Sequence, residues 1–142
     1  MKSSLANIDL LDLVLFNSGT SQEQQAFMNS FYEAMSGYLA NKFENQFSDT
    51  DKLAYEKIIK NTNSSSDEII KFIEKHIPNG MQALTDETLN FKRMYLLEVY
   101  KNYLQAARDQ KKQFLIEQFS KILQLAQQDK WDLIASLIKG LR

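Results

Sequence analysis

The chain has 142 residues, 44% apolar and 25% charged, with a formal net charge of −1, four glycines, one proline and no cysteine. That length suits one core-forming domain, and the composition is that of a globular chain, not a disordered or fibrous one. The absence of cysteine excludes disulfides, thiolate nucleophiles, zinc–thiolate sites and iron–sulfur ligation.

Five Gly and Pro residues in 142 are too few for a protein built on tight β-turns. Apolar positions recur at intervals of three and four, so an all-α, single-domain helical bundle of six or seven helices is expected over residues 1–142. The first helix is predicted near 5–16. Its apolar run from Leu10 is broken by Asp12 and falls far short of the roughly 20 residues of a membrane span. It also lacks the basic flank and cleavage site of a signal peptide, so a cytoplasmic chain with no membrane span is expected.

Asn17, Ser18 and Gly19 close that helix, and a second over 21–46 carries the stripe Phe27, Phe31, Met35, Tyr38 and Phe43. Helices over 50–61 and 66–76 follow, separated by a gap of Asn, Thr and Ser. Four pairs have the spacing of helix caps: Thr20 with Glu23, Ser48 with Asp51, Ser65 with Glu68, and Asp129 with Asp132.

Residues 75–80, KHIPNG, hold the only histidine and the only proline. Pro78 disfavours a helical Ile77 and suits the first turn of a new helix, which ends one helix near His76 and starts the next over 79–108. A start at Thr85, with Asn79 and Gly80 in a turn, is the competing register. Between Ala106 and Gln113 no Gly or Pro stops the chain. Either it turns there, or one helix of about 45 residues runs on; typical helix lengths favour the turn. Helices over 112–127 and 130–140 complete the pattern.

The run Asp67 to Asn79, DEIIKFIEKHIPN, continuing to Leu84, Leu89, Phe91 and Lys92, resembles a pattern of small uncharacterised all-helical proteins of bacteria with reduced genomes. In them a short helix ends in Ile-Pro-Asn or Ile-Pro-Asp and a longer one follows. The resemblance covers about residues 8–98 and implies a helical fold without a known activity; residues 99–142 read as a C-terminal helical extension.

No catalytic constellation is legible. His76 lacks a nearby nucleophile, and Ile73 stands where a Glu-x-x-His metal motif would place its carboxylate. The scattered glycines make no phosphate loop. Carboxylate pairs such as Asp9 with Asp12 read as a solvated face. The chain therefore reads as non-enzymatic and free of cofactors.

Charge is uneven: residues 1–70 sum to −5 and residues 71–142 to +4. On a continuous long helix, Arg93, Lys101, Arg108, Lys111 and Lys112 would fall within about 100° of one another, a stripe able to meet an acidic partner or track phosphates. Trp131 heads the last amphipathic helix, which suits the chain's own core, a second copy or a partner groove. The expected role is a helical protein-interaction or self-association module. The alternative is a nucleic-acid-associated protein using the basic second half.

Overall fold

A computed structural model describes residues 4–15, 20–60 and 66–141. The protein is an all-α helical bundle; among the described residues it has six α-helices and no strand: α1 (Ser21–Glu44), α2 (Asp49–Lys60), α3 (Ser66–His76), α4 (Gly80–Asp109), α5 (Gln113–Gln127) and α6 (Trp131–Leu141). Two short 3-10 helices precede them, η1 (Ser4–Asn7) and η2 (Leu10–Leu13).

These two turns replace the single helix expected over 5–16. Asp9 is extended, and its carboxylate accepts the Leu11 N–H at 3.1 Å, so the chain starts a fresh turn there. Val14 is extended as well. Leu10 and Leu13, three apart, then fall on the one side of a 3-10 turn and are both buried.

Helix starts follow the predicted chemistry at two places. Thr20 Oγ1 accepts the Glu23 N–H at 3.1 Å and Ser48 Oγ accepts the Asp51 N–H at 3.2 Å. Ser65 lies outside the described residues, as do Asn17, Ser18 and Gly19. Asp129 is not a helix N-cap: it adopts φ 56° as the last turn residue of α5, and α6 begins at Trp131.

KHIPNG is a turn. The Gly80 N–H donates to the Ile77 carbonyl at 2.9 Å, with Pro78 second in the turn and Asn79 third at φ 56°, the residue preferences of a type II turn. Helix α4 therefore starts at Gly80, one residue after the expected start at 79, and the competing start at Thr85 is not used. A Cβ on Gly80 would lie 2.7 Å from the Ile73 carbonyl oxygen, so only glycine lets α4 begin this close to the end of α3.

The chain divides into two compact units. One comprises residues 29–91. Its core is Leu39, Phe43, Phe47, Tyr55, Ile73, Ile77 and Leu84, reached from α1, α2, α3 and the start of α4. The rings of Phe47, Tyr55 and Phe72 lie within 4.7–5.6 Å of one another, centroid to centroid. The other unit joins residues 1–28 to residues 92–142. Here α6 packs on α5, η1 and η2. Buried side chains include Leu13, Val14, Leu96, Tyr100, Phe119, Ile122, Trp131, Ile134 and Ile138.

Candidate functional site

The segment between α4 and α5 reads Arg108-Asp109-Gln110-Lys111-Lys112-Gln113-Phe114. The ambiguous stretch turns here, and the long continuous helix does not form. Two hydrogen bonds close α4, from the Lys112 N–H to the Ala107 carbonyl and from the Lys111 N–H to the Arg108 carbonyl, at 3.0 and 3.1 Å. This is the Schellman pattern, and it puts Lys111 in the left-handed region at φ 55°. Glycine or asparagine is the ordinary choice there.

The next position departs from local preference too. Lys112 is the N-cap of α5, its side chain makes no cap hydrogen bond, and the first turn of α5 has no acidic residue. A lysine at the positive end of a helix dipole is repelled where Ser, Asp or Asn would stabilise it. Two residues on, Phe114 is 63% exposed. Arg108, Lys111 and Lys112 are exposed around the same turn. The α4–α5 turn thus gathers three cations and an open aromatic ring, with Asp109 held by Gln105 Nε2 at 2.9 Å.

The other residues singled out from the sequence fall elsewhere. Arg93 Nε is paired with Asp129 Oδ1 at 2.8 Å. Lys101 is exposed on α4, seven residues and nearly two helical turns before Arg108, so these two share a face. With α4 ended at Asp109, the five-residue basic stripe is divided between a helix face and a turn. Trp131 is 0% exposed and is a core residue, so it offers no surface contact. Its indole Nε1 donates to Asp129 Oδ1 at 3.2 Å, so one carboxylate oxygen receives both Arg93 and Trp131.

His76 has a partner that spacing along the chain concealed: Asp51 Oδ2 on α2 lies 3.3 Å from its Nδ1, and its ring lies 4.2 Å from that of Phe72. Among the described residues, no group of three His, Asp or Glu side chains is placed to hold a metal ion. A half-open cleft of about 340 Å³ is lined by Ile8, Asp12, Ala135, Ser136 and Lys139. No helix of the described residues is long and apolar enough to cross a membrane.

Phe114 was hidden in the sequence because an aromatic at helical spacing reads as core. The available signal was its position directly after a polar stretch with lysines at both cap positions. No family model, curated protein or solved structure matches the chain.

Proposed function

We propose that the chain is a non-enzymatic helical interaction module that binds an acidic protein surface through the α4–α5 turn. The observation that carries this reading is the pairing of two lysines in positions unfavourable to the fold, Lys111 at φ 55° and Lys112 at an uncapped N-cap, with the exposed ring of Phe114. Departures from local preference concentrate where function competes with stability. Cations around an aromatic side chain match the anatomy of a protein-binding hot spot, in which the ring supplies buried area and the charges steer encounter. Division of the basic stripe favours a compact protein contact over a long track along phosphates.

Affinity purification from the native cell tests the reading, with the natural chain compared against Lys111→Gly, Lys112→Ser and Phe114→Ser combined. The expected result is a partner recovered by the natural chain and lost from a variant that remains fully folded. Equal recovery contradicts it, and a nuclease-sensitive association would transfer the role to nucleic-acid binding.

A further inference from the structure

The N-terminal arm, residues 4–15, forms one wall of the half-open cleft of about 340 Å³, and α6 forms the other: Ile8 and Asp12 come from the arm, and Ala135, Ser136 and Lys139 from α6. Spacing explains the second set. Positions 135 and 136 lie four and three residues before 139, so the three side chains share a face of the helix. The arm is fixed by α4. Lys92 Nζ donates to the carbonyl oxygens of Leu5, at 2.9 Å, and Ile8, and Tyr100 donates its hydroxyl to the Leu13 carbonyl at 2.7 Å. Leu5, Leu10, Leu13 and Val14 are buried, which anchors the arm on either side of Ile8 and Asp12. A ligand would therefore meet a preorganised wall.

The charges are divided between the two walls, a carboxylate on the arm (Asp12) and an ammonium on α6 (Lys139). Each suits its own element, Asp12 in the first turn of η2 and Lys139 in the last turn of α6. That accounts for each charge singly. Their convergence with a hydroxyl and two apolar side chains gives the cleft the composition of a small-molecule site, at the lower end of the usual range of about 300–1,000 Å³. An anion would meet Asp12 and a cation would meet Lys139, so a ligand of single charge is opposed by one wall. A molecule that carries both charges is opposed by neither. We infer that the cleft binds a small zwitterion of the free α-amino acid class, with its ammonium on Asp12, its carboxylate on Lys139 and Ser136, and its side chain against Ile8 and Ala135. Asp12, Ser136 and Lys139 are exposed, so water screens the pairs and the expected Kd is about 0.1–1 mM.

Titration of the isotope-labelled full-length chain with each common amino acid in turn, read at the amide resonances of Ala135 and Ser136, provides the test. The expected result is a saturable shift with at least one of them. For that amino acid, the matched amine without the carboxylate and the matched acid without the ammonium should each bind at least about tenfold more weakly. This comparison uses the natural chain and does not depend on how any variant folds. Asp12→Asn and Lys139→Met, both at exposed positions and checked for native helical dichroism, should each weaken binding by a similar factor. No saturable shift up to about 10 mM overturns the inference. So does equal binding of either single-charge analogue, or undiminished binding by either variant.

Discussion

Tyr100 and Leu13, 87 positions apart, are joined by a buried hydrogen bond of 2.7 Å from the tyrosine hydroxyl to the leucine carbonyl. The bond closes the N-terminal arm on α4. Tyr100→Phe removes the tyrosine donor of that buried bond, and the expected loss is roughly 0.5–1.5 kcal/mol. Chemical denaturation of the variant and the natural chain measures it through the shift in midpoint.

Tyr55 gives the matched contrast. It is 0% exposed, and its hydroxyl finds no hydrogen-bond partner among the described residues. Removing that oxygen deletes a polar atom already taken from water, so Tyr55→Phe is expected to be neutral or to stabilise by up to about 1 kcal/mol. The same chemical change at two buried tyrosines should thus act in different directions in parallel denaturation curves.

Gly80 should resist even the smallest substitution. Alanine gains up to about 1 kcal/mol in helix propensity. Its Cβ, however, would meet the Ile73 carbonyl oxygen at 2.7 Å, a backbone atom that moves only with α3. A net loss of roughly 1–3 kcal/mol is expected for Gly80→Ala. A melting temperature equal to or above that of the natural chain would contradict the close approach.

Alkaline pH should unfold the protein through its phenols. Burial, aided by Glu87, pushes Tyr38 up to about 12, and burial, aided by Glu44, pushes Tyr55 up to about 12. Burial also raises Tyr95, Tyr100 and Tyr103. An unfolded tyrosine titrates near about 10, so the folded state binds these protons more tightly and the stability they confer is complete below that pH. It falls as pH rises toward 12. Lys92 acts oppositely: burial lowers its pKa, so stability increases with pH in the window up to the ordinary lysine value of 10.5. Five raised phenols outweigh one lowered ammonium. Tyrosinate absorbance and helical dichroism should therefore change together above about pH 10, in one cooperative step.

Much of this fold is legible in the sequence, because its causes are local. Of the stripe expected on α1, Phe31 and Phe43 are buried and Phe27, Met35 and Tyr38 partly so. The Thr20 and Ser48 caps form. KHIPNG separates one helix ending at His76 from the next, though Pro78 sits in the turn before α4 and not in its first turn. What escaped depends on distant partners. The arm lost its expected helix because Asp9 caps a new turn and α4 supplies hydrogen bonds from more than 80 positions away. Asp129 left its expected cap role because the end of α5 needs a left-handed residue, and its carboxylate meets Arg93 and Trp131. At the candidate site, Arg108, Lys111 and Lys112 were visible as charges, but their grouping around Phe114 depends on where α4 ends.

The two lysines of that turn yield a paired expectation of stability and binding. Lys111→Gly relieves a left-handed conformation that costs an ordinary residue roughly 1 kcal/mol. Lys112→Ser supplies the missing cap, worth about 1 kcal/mol, or about 3 °C in melting temperature for a chain of this size. Thermal melts should show both variants at least as stable as the natural chain, while both bind the partner more weakly. Reduced stability in both would mean that the lysines serve the fold.

Photo-crosslinking at position 114 addresses the proposed role of the turn most directly. A benzophenone amino acid placed there, and in a control at the exposed Gln124 on the same helix, is activated in the native cell, and adducts are identified by mass spectrometry. Binding through the α4–α5 turn predicts one dominant adduct at 114 with an acidic segment of a protein, absent at 124 and lost when Lys111 and Lys112 are replaced. Equal labelling at both positions, or an adduct at 114 indifferent to the two lysines, would contradict it.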